Sequence, residues 1–317
     1  MTAATLGPAP FGRVLTAMVT AFADDGSVDL KGTARVAEHL AGTGHDGVVV
    51  SGTTGESPTT TVEENGRILR AVVDAVGDRV HVVAGVGTNN TAHSVERAEQ
   101  AEKIGADALL LVTPYYSKPS QEGVAAHFET VANASGLPVM LYDIPGRTGL
   151  GIAEDTYHRV ARHERIVAVK DAVGDLPRGV RIMADTGLAY YSGDDVLNLG
   201  WLTHGGSGVV SVVGHVAGRE YAAMASAVEQ GDLGTALGLY RRLAPVVEAV
   251  MTRAPGAAMA KAAMQLLGVL PNRTVRLPLV AAPDDLVADL RVAMTGAGLV
   301  GEADSGGLDR LDRPDSA

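Results

Sequence analysis

Short apolar runs rich in β-branched residues alternate along the chain with longer segments of helical period. Runs at 14–20, 47–51, 80–85, 108–112, 139–142, 166–170, 189–192 and 208–212 have the length and composition of buried strands. Between them, 30–41 sets Leu30, Ala34, Ala37 and Ala41 on one helical face, and 62–76 turns Ile68, Leu69, Val72, Val73 and Val76 inward. Thr61 and Glu64 have the spacing of a capping box at the start of the second helix. These eight strand–helix units follow one another without a composition break that would mark a linker. That favours an α/β fold of the (β/α)8 TIM-barrel kind over a doubly wound sheet. The helical pattern then continues through 222–227, 236–250, 257–267 and 284–294, which predicts a small C-terminal helical bundle. The expected organisation is an N-terminal extension over 1–12, the barrel over 13–225, C-terminal helices over 226–300 and a disordered acidic tail over 301–317.

Composition narrows the function. A chain of 317 residues, 46% of them hydrophobic, can bury a large core. The net charge of −11, with no run rich in lysine or arginine, argues against nucleic acid or an anionic membrane as a partner. Absence of cysteine excludes disulfides, thiolate metal sites and cysteine nucleophiles. The nine histidines are scattered without an HxH or HxxxH pair, so no metal cofactor is expected. Met1 to Pro10 lacks the basic start and apolar core of a signal peptide, and no stretch approaches the roughly 20 apolar residues of a membrane span. A soluble, cytoplasmic protein is the expectation.

In a barrel of this kind chemistry sits at the carboxyl ends of the strands, where the loops surround one mouth. The sixth run, 166–170, ends in Lys170, and of the five lysines only this one closes a strand-like run. Desolvation disfavours the ammonium form, and a neutral amine attacks carbonyls. The other reading is a strand-end lysine that reaches water or pairs with Asp171. The other strand ends bear on the choice. Gly52-Thr53-Thr54-Gly55 follows the second run and offers amide donors and hydroxyls suited to a carboxylate, or forms an ordinary glycine turn. Tyr115 and Tyr116 follow the fourth run, and Tyr142 closes the fifth with Arg147 beyond it. An amine, phenols, hydroxyls and a guanidinium thus converge by topology. Lys170 could form an iminium with a 2-oxo acid, and Tyr142, Thr53 and a second tyrosine could relay protons. Amides of the Thr53-Thr54 loop could hold one carboxylate and Arg147 another.

The motifs GTTGES at 52–57, VTPYYSKPSQEG at 112–123, LYDIPGRTG at 141–149, VKDA at 169–172 and YYSGDD at 190–195 occur in the order and spacing of a known family. From about residue 12 to about residue 300 the chain resembles the dihydrodipicolinate synthase family, class I aldolase barrels related to N-acetylneuraminate lyase. The resemblance implies a Schiff base between Lys170 and pyruvate, with Tyr142, Thr53 and Tyr116 as proton relay. It implies that Thr54 helps hold the pyruvate carboxylate, that Gly193 and Val210 line the pyruvate pocket, and that Arg147 binds the carboxylate of L-aspartate 4-semialdehyde. Tyr116 would reach in from a neighbouring subunit, so a homo-oligomer is implied, a tetramer built as a dimer of dimers.

Arg147 argues against the related reading, a pyruvate-dependent aldolase of a 2-keto-3-deoxy sugar acid. The full set of reactive side chains argues against a non-catalytic 2-oxo acid binding protein. Two departures from the family pattern stand out. Asp143 occupies a position where many members carry asparagine. Val62, Asn65 and His93 replace the histidines and glutamate of lysine-inhibited members, so weak or absent inhibition by L-lysine is expected.

Overall fold

A computed structural model of the protein describes residues 6–301. Eight parallel strands close into a barrel in sequence order: β1 (Val14–Ala17), β2 (Gly47–Val50), β3 (His81–Gly85), β4 (Ala108–Val112), β5 (Val139–Asp143), β6 (Ile166–Asp171), β7 (Ala189–Ser192) and β8 (Gly208–Ser211). Pairing of Leu15 with Val210 closes the ring. Around it run α1 (Leu30–Ala41), α2 (Val62–Val76), α3 (Thr91–Ile104), α4 (Gln121–Asn133), α5 (Pro145–Thr148), α6 (Glu154–Val160), α7 (Leu176–Thr186) and α8 (Asn198–Thr203). The TIM-barrel expectation is met, and each predicted strand is present with its ends shifted by at most a few residues.

The strands read as unbroken apolar runs because both of their faces are buried. Leu15, Val49, Val83, Leu110, Met140 and Val210 alternate inward to fill the barrel. Val48, Val50, Leu109, Leu111, Leu141 and Val169 point outward under the helices. Phe11 joins the inner cluster, and its backbone N–H donates to the Tyr191 hydroxyl at 3.2 Å.

Helix α2 begins with the predicted capping box: the Glu64 amide donates to Thr61 Oγ1 at 3.1 Å and the Thr61 amide to Glu64 Oε2 at 2.9 Å. Its inward face is the expected one, although Val73 is only partly buried. The expected face of α1 needs correction. Thr33, Val36, Ala37 and Leu40 are buried, and the predicted stripe of Leu30, Ala34 and Ala41 lies beside them. The larger side chains Val36 and Leu40 decide the rotation. Thr33 follows because its hydroxyl donates to the Asp29 carbonyl at 2.9 Å and accepts from the Ala21 amide at 3.1 Å.

The C-terminal helices α9 (Gly214–Glu229), α10 (Leu233–Met251), α11 (Gly256–Leu266) and α12 (Asp284–Gly296) form a second apolar cluster that takes in Val14 and Val209 of the barrel. The expected tail over 301–317 lies, beyond Gly301, outside the described residues, as does the start of the expected N-terminal extension. The bundle also grips the loop after β2 through charge. Lys261 of α11 donates to Glu56 Oε1 at 2.5 Å and to the Thr274 carbonyl at 2.7 Å, and both side chains are 1% exposed. The second oxygen of Glu56 accepts from the Arg276 amide at 2.9 Å. Phe22 packs against both cations, its ring centroid 4.1 Å from Lys261 Nζ and 4.5 Å from Arg276 Cζ.

Breaking a buried ion pair from one side strands the other charge. Glu56→Ala is therefore expected to destabilise the protein by about 3–5 kcal/mol, and the double change with Lys261→Met to recover much of that loss. Urea-unfolding midpoints of the two variants check this; equal losses in both would contradict it.

Candidate active site

The register of the barrel brings the reactive groups together. Tyr142 of β5 pairs with Lys170 of β6, which pairs in turn with Tyr191 of β7. All three belong to the inward-facing positions, and Lys170 Nζ lies 4.3 Å from the centroid of the Tyr142 ring. Lys170 is 4% exposed, so solvent does little to stabilise its ammonium. Burial pushes its pKa down to about 8; Asp195 opposes this and Arg147 adds to it. Tyr142 shifts the other way. Burial pushes its hydroxyl up to about 12, so it stays a neutral phenol able to give and receive a proton.

Asp171 is not the partner of Lys170. As the next residue along the strand it faces outward, and its Oδ1 accepts from the amides of Val173 and Gly174 at 3.2 and 3.1 Å. Asp195 is held apart too, accepting from the Ser211 hydroxyl, from Asn198 Nδ2 at 3.1 Å and from the amides of Val212 and Val213 at 2.8 and 3.1 Å. Its field nevertheless reaches the lysine. Sequence reasoning missed this role, since nothing local to Asp194-Asp195 tells which carboxylate turns inward.

Gly193 is small for a reason that can be named. A Cβ there would sit 2.8 Å from Lys170 Cγ and 2.8 Å from the Asp171 carbonyl oxygen. Val210 lies in the same interior cluster as Tyr142. The loop after β2 is folded tightly against its neighbours: Ser51 has φ of 55°, and a Cβ on Gly85 would stand 2.5 Å from the Ser51 carbonyl oxygen. The Thr20 hydroxyl donates to the Gly55 carbonyl at 2.7 Å and holds the loop's far side.

A cavity of about 480 Å3 opens at this mouth, and Thr53, Tyr142 and Arg147 line it together with Tyr115 and Arg97. Among the described residues no aspartate or glutamate lines it. A smaller adjoining cavity of about 180 Å3 shares Thr53 and Arg147 and adds Thr54. Lys170 sits against the Tyr142 ring, outside the lining of either cavity. Tyr116 is the one predicted site residue that stands away from the group: it is 88% exposed, with φ of 70° and its amide donating to the Thr148 carbonyl at 3.3 Å. Among the described residues no group of three or more His, Cys, Asp or Glu side chains is placed to hold a metal ion, and no helix is long and apolar enough to cross a membrane.

Behind the inner face lies a second layer of polar groups. Asp143 is fully buried; it accepts from the Tyr157 hydroxyl at 3.0 Å and from the Ile152 amide at 3.2 Å. Its strand partner is Asp171. Burial pushes both carboxyls up to about 6.

A closed parallel barrel with a desolvated lysine beside a neutral phenol at its carboxyl mouth is the arrangement of the class I aldolase type. The sequence profile of the Dihydrodipicolinate synthetase family matches residues 10–296, and the chain belongs to that family. It is 60% identical to the 4-hydroxy-tetrahydrodipicolinate synthase of Kineococcus radiotolerans, over 92% of this chain and 94% of that protein. It is 58% identical to the enzyme of the same name from Acidothermus cellulolyticus, over 93% and 95%. Among solved structures it matches the family member from Cyanidioschyzon merolae with lysine bound, with a TM-score of 0.88 and 42% identity over 92% of this chain and 99% of that one.

The raised carboxyl of Asp143 has a consequence for stability. Because its folded pKa of about 6 exceeds the ordinary 3.8, its contribution is fully present below the ordinary value and is lost as pH rises through about 6. Asparagine does not titrate, so Asp143→Asn is expected to gain on the parent by about 1–3 kcal/mol between about pH 4 and about pH 8. Urea midpoints at the two pH values measure the gain, and a difference independent of pH would contradict it.

Proposed function

We propose that the protein condenses pyruvate with L-aspartate 4-semialdehyde, losing water, to give 4-hydroxy-tetrahydrodipicolinate in lysine (diaminopimelate) biosynthesis. Family membership supports the substrates. The observation that carries the chemistry is a lysine buried on the barrel's inner face against a neutral phenol, beside a cavity lined by arginines and, among the described residues, by no acid.

The neutral amine of Lys170 adds to the pyruvate ketone, and the carbinolamine loses water to leave an iminium. The cationic nitrogen draws electrons from the methyl carbon, which gives up a proton and becomes the nucleophilic end of an enamine. That carbon adds to the aldehyde of the second substrate. Its amino group then displaces Lys170 from the imine and closes the ring, so the enzyme is regenerated and one water is lost overall. Tyr142 and Thr53 relay the protons, together with Tyr116.

Arg147 holds the carboxylate of the semialdehyde by a bidentate contact, and Thr54 with the loop amides holds that of pyruvate. Gly193 and Val210 shape the floor of the pyruvate pocket. Exposure of Tyr116 at a positive φ supports its use by a second copy of the chain, and with it a homo-oligomer, a tetramer as a dimer of dimers. No step draws on a metal or organic cofactor. The barrel over 13–225 carries the reaction and the helices over 226–300 brace it; the protein works in the cytoplasm.

Borohydride reduction in the presence of pyruvate should add the mass of one reduced adduct to the protein, and Lys170→Ala should abolish it. Arg147→Ala should still trap pyruvate but lose turnover with the semialdehyde, and Tyr142→Phe should lower kcat by about 10²–10⁴. Trapping in Lys170→Ala would refute the assignment. Adduct formation at low pyruvate should also rise about tenfold per pH unit and level off near pH 8, since only the neutral amine reacts. A rise that continues towards 10.5, the value of an ordinary lysine, would mean that the amine is not desolvated.

A further inference from the structure

We infer that the buried pair of Glu56 and Lys261 is a positioning device, through which the C-terminal helices hold the loop after β2 so that Thr53 and Thr54 meet the substrate. The inference rests on the reaction proposed above and names what orients two of its side chains. The loop runs between two residues at positive φ, Ser51 at 55° and Glu56 at 57°. Neither is glycine, so both are strained and persist only where their surroundings hold them. The carboxylate of Glu56 supplies that hold. Its Oε1 accepts from Lys261 Nζ of α11 at 2.5 Å and its Oε2 from the Arg276 amide at 2.9 Å, so both oxygens are bonded to the C-terminal segment. Main-chain bonds carry the hold into the loop: the Glu56 amide donates to the Thr53 carbonyl at 3.1 Å and the Ser57 amide to the Gly52 carbonyl at 3.3 Å. Thr53 is exposed and lines both cavities at the mouth, so the place of its hydroxyl follows that of the main chain between Gly52 and Glu56.

The clamp extends beyond one ion pair. Lys261 Nζ also donates to the Thr274 carbonyl at 2.7 Å, which ties α11 to the segment that follows it. In that segment Arg276 donates from Nη1 to the Thr59 carbonyl at 2.8 Å, and it binds Glu64 through Nη1 and Nη2 at 2.8 and 2.6 Å. Glu64 belongs to the capping box of α2, so residues 274–276 span the chain from Glu56 to the first turn of the next helix. An amide cannot replace Glu56, because both oxygens act as acceptors and a glutamine would set a donor against either Lys261 or the Arg276 amide. Arg147, the proposed partner of the semialdehyde, belongs to α5, where its amide donates to the Ile144 carbonyl at 3.0 Å. Loosening the loop therefore acts on pyruvate more than on the second substrate.

Steady-state kinetics of the full-length protein, each substrate varied in turn, test this together with thermal unfolding of the same samples. Glu56→Gln and Lys261→Met should each raise KM for pyruvate at least about tenfold and lower kcat about tenfold, with KM for the semialdehyde within about twofold of the parent's. Loss of folded protein alone lowers the active fraction and moves neither KM. The double variant Glu56→Gln/Lys261→Met leaves no uncompensated charge, so its Tm should return towards the parent's while its KM for pyruvate stays raised. It also serves where a single variant fails to fold. Amide hydrogen exchange over 52–57 should be faster in the double variant than in the parent, with exchange over the barrel strands unchanged. Three results would overturn the inference: a parental KM for pyruvate in the double variant, equal rises in both KM values, or unchanged exchange over 52–57. A parent that traps no pyruvate with borohydride would refute the proposed reaction instead, and the exchange measurement then decides the clamp by itself.

Discussion

Desolvation of one amine organises the reactive end of this molecule. Lys170 stands on the inner face of β6, 4% exposed, and no oxygen of Asp171 or Asp195 turns to meet it. A parallel barrel makes such a position possible, since each strand is paired on both sides and its inner residues are shielded all round. The energetic cost of holding a cation there appears as the lowered pKa, and the neutral amine it favours is the nucleophile of the proposed reaction. Tyr142, one strand away in register, is displaced in the opposite sense by the same lack of water.

A comparison inside the chain shows that two lysines equally withdrawn from water differ in their partners. Lys261 is as buried as Lys170, yet it meets Glu56 at 2.5 Å and the Thr274 carbonyl at 2.7 Å. Its charge is spent on bracing the loop that carries Thr53 and Thr54. Arg97 is a third case, a buried cation whose one hydrogen bond among the described residues goes to the Gly85 carbonyl. Of these three buried cations, the compensated one is structural and the uncompensated ones border the cavity or its inner wall.

Much of this was legible in the sequence, for identifiable reasons. The strands could be found because burial on two faces writes an unbroken apolar run, and the α2 boundary because Thr61 and Glu64 cap it by local bonds. Lys170, Tyr142, Thr53 and Arg147 stood out because polar groups at strand ends share one mouth in a barrel. What could not be read was orientation. The face of α1 was misjudged by treating alanine as equal to Val36 and Leu40, and the burial of Lys261 in an alanine-rich helix went unnoticed because its partner lies 205 residues away. Asp143, Tyr157 and Asp171 form one buried group only because β5, α6 and β6 are neighbours in space.

The order of hydrophobic runs, the caps and the reactive residue types were determined by the sequence itself, because each depends on side chains within a few positions of one another. Tertiary structure decided the rest: which carboxylate's field reaches Lys170, which buried lysine is paired, which buried arginine has no carboxylate beside it among the described residues, and how far each group's proton affinity moves. Those outcomes depend on distance and on exclusion of water, and both are set by chain segments that meet only when the barrel closes.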